Sequence, residues 1–153
     1  MPITITHLPT GRVLADRAEI ARSLPTRLIG LLARRTFQAG EALIFPRCNT
    51  IHTCLMRFSI DVVFVRTGGV LSTPSAWPDN LSALPAAARQ QAGVPSGTGQ
   101  AGNGSAGIVV KAIPGVRPFR IVGALGADTT IELPVGTLSK TPTAIGERLL
   151  WTQ

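Results

Sequence analysis

The chain has no tyrosine, and aromatic residues make up 5% of its 153 positions. A platform for stacking bases is hard to assemble from so few rings. Only two cysteines are present, Cys48 and Cys54, too few for a structural zinc site unless histidine completes it. No apolar run approaches the roughly 20 residues of a helical membrane span. The opening residues Met1 to His7 lack a basic region and a long apolar stretch, so no export signal is read there. The expectation is a cytoplasmic protein with two reduced thiols. Charged residues are also scarce, at 15%, but apolar ones reach 44%, which argues against global disorder. No phosphate-binding glycine loop with its lysine occurs, and neither does a dinucleotide fingerprint nor an HExxH pair.

The charge is strongly basic, +7, and thirteen of the fifteen cations are arginine. Such a balance suits nucleic acid or an anionic surface. The arginines are scattered from Arg12 to Arg148, however, and Arg34-Arg35 is the one tight pair. A solvated basic surface is the simpler reading, and nucleic acid is not the expected partner. A protein or small-molecule partner is left open.

Periodicity divides the chain. Ile3 to Leu8 alternates and reads as a strand. Val13-Leu14-Ala15 starts a second strand, and Ala18 to Ala21 is ambiguous. Ser23-Leu24-Pro25 has the form of a helix start, and Leu28, Leu31, Leu32 and Arg35 follow at helical spacing over Thr26 to Arg35. Ala42 to Phe45 is a strand stopped by Pro46, and Thr50 to Phe58 reads as another. Ile60 to Val65 is almost wholly apolar and should be buried on both faces. Thr67-Gly68-Gly69 has the glycines of a hairpin turn. Residues 72–107 then carry two charges, Asp79 and Arg89, and six of the fifteen residues from Gly93 to Gly107 are glycine. This reads as a flexible insertion within one domain spanning 1–153. Ile108 to Ile113, Phe119 to Val122, Thr129 to Leu133 and Leu149 to Trp151 resume strand character. The expected fold is α+β and β-rich. It is a small, mostly antiparallel sheet or closed barrel, with one short helix near the N-terminus and a long insertion.

Chemistry concentrates between Cys48 and Asp61. On a strand, His52, Cys54 and Met56 share one face, about 6.5 to 7 Å apart. Imidazole, thiol and thioether suit a soft metal such as Cu(I), or zinc, with Cys48 folding back as a fourth ligand. One straight strand cannot bring adjacent ligands to one ion without a bulge. Core packing of Cys54 and Met56 is the competing reading. A thiol nucleophile with His52 as its base is a further alternative, although a mid-strand cysteine suits it poorly. Asp61 stands beside an apolar strand and must be paired. Arg57 is the expected partner, and pinning a turn is the expected role. No second carboxylate lies near it in sequence to form an acid/base pair. His52, Arg57 and Asp61 are therefore the candidate ligand-binding residues, and no catalytic residue is assigned.

Several of these segments resemble one family. Thr26-Arg27-Leu28-Ile29-Gly30-Leu31-Leu32-Ala33-Arg34 resembles the R-x-x-G-L-M-x-R helix of the DUF192 family. Glu41 to Pro46 is similar to its G-M-L-F-x-F strand, and Met56-Arg57-Phe58-Ser59-Ile60-Asp61-Val62-Val63-Phe64 to its M-[RK]-x-P-[IL]-D-[VI]-x-F signature. Glu132-Leu133-Pro134-Val135-Gly136 and Gly146-Glu147-Arg148-Leu149 resemble its E-L-P-x-G and G-D-x-[LI] segments. Leu32, Ser59 and Glu147 depart from the usual Met, Pro and Asp, and residues 72–107 have no counterpart. The resemblance implies a small β-rich domain of bacteria and archaea, and it brings no catalytic residues. The leading expectation is a non-enzymatic binding or accessory module without a resident cofactor, using the surface beside the central strand. A soft-metal protein and a thiol enzyme are the alternatives.

Overall fold

The structure, a computed structural model, describes residues 2–21, 31, 34–67 and 104–152. Nine strands are described: β1 (Ile3–His7), β2 (Arg12–Ile20), β3 (Gly40–Pro46), β4 (Thr50–His52), β5 (Ile60–Arg66), β6 (Gly104–Val116), β7 (Ile121–Gly123), β8 (Thr129–Pro134) and β9 (Arg148–Thr152). Seven of them close into a barrel in the order β1-β2-β3-β8-β5-β6-β9, with β9 returning to pair β1. The other two, β4 and β7, form a separate two-stranded ribbon. All barrel pairings are antiparallel except β2 with β3. Closure removes the exposed strand edges of an open sheet.

Alternation sorts the side chains into two cores. Ile3 and Ile5, Ala42 and Ile44, Val63 and Val65, Ile131 and Leu133, and Leu149 and Trp151 fill the barrel interior. The intervening residues Leu43, Phe45, Val62 and Phe64 point outward, where Ile51, Met56 and Val116 cover them. The outward face of β3, β8 and β5 is therefore a second core. Strand β5 is buried on both faces, as its continuous apolar run predicts.

The described helix is α1 (Thr137–Lys140), near the other end of the chain from the expected one. Four residues are too few for an apolar periodicity to show. Gly136, at φ 90°, reverses the backbone after β8 and starts it. The expected helix at Thr26 to Arg35 lies outside the described residues except at Leu31, Arg34 and Arg35. Of the expected insertion, residues 72–103 lie outside them as well. Its last four residues, Gly104 to Gly107, instead begin β6 and pair with β9. Gly107 sits in tight packing. A Cβ there would lie 3.0 Å from the Cβ of Val65 and 3.1 Å from the Trp151 ring.

Asp61 locks one mouth of the barrel. It is fully buried on β5. One carboxylate oxygen accepts the Gly115 N–H and the other the Leu138 N–H, both at 2.8 Å. Leu138 of α1 packs into the interior core. Asp61 therefore pins a turn, as expected, but its partners are backbone amides and not Arg57. A carboxylate that accepts such bonds is compensated for its burial.

Candidate functional site

The segment that concentrates chemistry in the sequence is a short strand followed by a turn. Strand β4 ends at His52. Thr53 then leaves the ribbon, and Leu55 adopts φ 66°, left-handed for a bulky residue. This breaks the alternation that would set His52, Cys54 and Met56 in one row. His52 is exposed, Cys54 is half-buried and Met56 is buried in the outer core. Cys48 packs against that core, and its thiol donates to the Thr50 carbonyl at 3.2 Å. Both cysteines are free. Among the described residues, no three of His, Cys, Asp and Glu come together to hold a metal ion. Of the candidate ligand-binding residues, His52 and Arg57 are exposed and Asp61 is enclosed in the barrel.

The turn after β4 is tied to the turn before β7 by Thr53, which is fully buried. Its hydroxyl donates to the Arg117 carbonyl at 2.7 Å and accepts the Arg120 N–H at 3.0 Å. Its own N–H donates to the Arg120 carbonyl at 2.8 Å, and its carbonyl accepts the N–H of Phe119 at 3.0 Å. One small polar side chain thus knots two loops 64 residues apart.

The knot presents apolar side chains to solvent. Leu55 is 71% exposed, Phe119 64% and Ile121 75%. Leu55 belongs to the turn beside Thr53, Phe119 is bonded to Thr53, and Ile121 lies opposite His52 in the ribbon. Phe119, like Leu55, has a left-handed backbone, at φ 59°. Left-handed geometry costs a side-chain-bearing residue roughly 1 to 2 kcal/mol, and at Phe119 it accompanies the bond from its N–H to Thr53. His52, Arg57, Arg117 and Arg120, all exposed, lie in the same two segments as these apolar groups. Residues 49–60 and 112–127 contain no Asp or Glu. The two joined segments form a knuckle that bears exposed apolar and basic side chains.

His52 and Arg57 are expected from the sequence as candidate residues, whereas Leu55, Arg117, Phe119, Arg120 and Ile121 are not singled out there. Phe119 to Val122 reads as a strand, yet β7 begins only at Ile121 and Phe119 belongs to the turn. The available signal is Arg117-Pro118-Phe119-Arg120, a proline-broken aromatic between two arginines.

A second unusual group lies on the outer face of β8. Glu132 is buried between Leu43 and Val62 on the neighbouring strands. Burial pushes its carboxyl up to about 8. It is enclosed by the outer core and is not part of the knuckle.

Comparisons with known proteins fit this architecture. One solved structure similar to the chain is a protein of unknown function from Novosphingobium aromaticivorans DSM 12444. It has 17% identity and a TM-score of 0.60, over 97% of this chain and 83% of that one. Another is described as a "putative transcription regulator" from Sinorhizobium meliloti 1021, at 15% identity and a TM-score of 0.61, over 96% of this chain and 89% of that one. At such identities the likeness shows the fold alone. No curated protein matches the chain. Among the described residues, no helix is long and apolar enough to cross a membrane. The model of DUF192, described as an uncharacterized ACR, matches residues 5–101, which hold the end of β1 and all of β2 to β5. The chain belongs to the DUF192 family.

Proposed function

We propose that this protein is a binding module that captures an acidic, apolar segment of a partner protein on the knuckle of Leu55, Phe119 and Ile121. The observation that carries the reading is the exposure of three large apolar side chains on a rigid, buried polar knot. Contiguous exposed apolar residues rimmed by polar ones mark interaction surfaces. Aromatic and arginine residues are the side chains that most often dominate such contacts. The left-handed backbone of Leu55 and Phe119 supports it, since conformational strain clusters at functional positions.

Charge selects the partner. Arg57, Arg117 and Arg120 are exposed within two or three residues of these apolar groups in the chain, and the two segments carry no acid. A partner segment with Asp or Glu beside leucine or phenylalanine meets both features. A basic segment meets only one and is repelled. The knot is preorganised, so little ordering of this protein opposes binding.

Chemical-shift mapping tests the reading. A peptide alternating leucine and glutamate is titrated into uniformly labelled protein. The expected shifts cluster at residues 52–57 and 117–121. Shifts scattered over the barrel, or none at these positions, would refute the proposal.

A further inference from the structure

His7 ends β1 and reads in sequence as an isolated residue. It lies between β2 and β9, paired with Arg12 and Leu149, and is only 1% exposed. Both ring nitrogens are engaged. Nε2 lies 2.9 Å from Oε2 of Glu147, and Nδ1 lies 2.8 Å from Oγ1 of Thr10. Glu147 stands just before β9, and Thr10 lies on the turn between β1 and β2.

The carboxylate fixes the direction of the first bond, and of the second in the neutral ring that acts as a base. Glu147 also accepts the Ala144 N–H, and that bond, with the one from His7, holds its carboxyl below the usual range. An ionised carboxylate only accepts, so the neutral imidazole carries its proton on Nε2. Nδ1 then offers a lone pair, and Thr10 must donate its hydroxyl proton to it. The Arg12 N–H lies 3.4 Å from the same Thr10 oxygen. Thr10 is exposed and His7 is not. Of the pair, Thr10 is the residue open to solvent.

We infer that Thr10, His7 and Glu147 form a hydroxyl nucleophile, a base and an orienting carboxylate, and that Thr10 accepts acyl groups from activated esters. Nucleophile and base are within the usual 2.6 to 3.2 Å, and a third group orients the base. The Thr10 oxygen attacks the acyl carbon while its proton passes to Nδ1 of His7. The carbon–oxygen bond to the leaving group breaks, and that proton passes from His7 to the departing oxygen. The product is an ester on Thr10. Water deprotonated by His7 can cleave that ester and restore the threonine. The assignment is independent of the knuckle.

The probe is p-nitrophenyl acetate, read by intact mass and peptide mapping, with the exposed hydroxyl of Ser139 as internal reference. Acetylation is expected at Thr10, faster than at Ser139. It should be absent in Thr10→Val, kept in Thr10→Ser, and about a hundredfold slower in His7→Gln. Glu147→Gln, which keeps a hydrogen-bonding group beside Nε2, should slow it as well. Melting curves separate loss of reaction from loss of fold. Acetyl groups confined to Lys111 and Lys140, or Thr10 labelled no faster than Ser139, would overturn the assignment. So would an unchanged rate in folded His7→Gln.

Discussion

The buried hydroxyl of Thr53 donates to the Arg117 carbonyl at 2.7 Å, and this bond joins the two turns that carry the exposed apolar residues. The arrangement follows from size and polarity. Threonine is small enough to be enclosed, and its one oxygen both donates to a carbonyl and accepts an amide. The apolar residues beside it are left outside because the loops turn on it.

Thr53→Val keeps the shape and deletes the hydroxyl. The Arg117 carbonyl and the Arg120 N–H then lose their buried partner. The expected cost is about 1 to 3 kcal/mol, read as a lower urea midpoint at unchanged slope. Affinity for an acidic peptide should fall with it, although no residue touching the peptide has changed.

Asp61→Asn tests the mouth of the barrel. The amide has one oxygen to accept and one NH2 group that meets an N–H donor, so either Gly115 or Leu138 loses its bond. A loss of about 1 to 3 kcal/mol is expected. Hydrogen exchange at Leu138 or Gly115 should speed up, since α1 and the Gly115 turn are held by this carboxylate.

Stability should fall as pH rises through neutrality, because of Glu132. Its carboxyl is raised from the ordinary 4.5 to about 8 by burial. Between these values the folded chain keeps a proton that the unfolded chain releases. Stability conferred by Glu132 is complete below about 4.5 and is lost as pH climbs toward 8. The slope is at most about 1.4 kcal/mol per pH unit. Glu132→Gln should flatten the profile in this window, as followed by urea unfolding from pH 5 to 8. Glu147 works in the opposite sense. Its lowered carboxyl adds stability above 4.5 that is lost in acid, so the two windows separate.

The barrel was legible because its strands obey a period of two, and β5 announces its double burial with Ile60 to Val65. Strand β2 was only half legible. A register shift between Ala15 and Arg17 places two exposed residues, Asp16 and Arg17, side by side and spoils the alternation. The glycines at the start of β6 read as flexibility, yet Gly107 is packed closely against Val65 and Trp151, where an added Cβ would make those neighbours give way. The apparent row of His52, Cys54 and Met56 failed for a backbone reason: nothing in the name leucine signals a left-handed φ at position 55. Phe119 hides in the same way. His7 and Glu147 lie 140 residues apart, a separation that no local pattern bridges.

Fluorescence anisotropy with a labelled leucine/glutamate peptide and its leucine/lysine counterpart decides whether the knuckle selects an acidic partner. Wild-type protein should bind the acidic peptide and not the basic one, less tightly as salt is raised. A Phe119→Ser/Ile121→Ser variant, with its melting temperature matched to wild type, should bind at least about tenfold more weakly. Equal affinity of the variant, or equal binding of both peptides, would contradict the account.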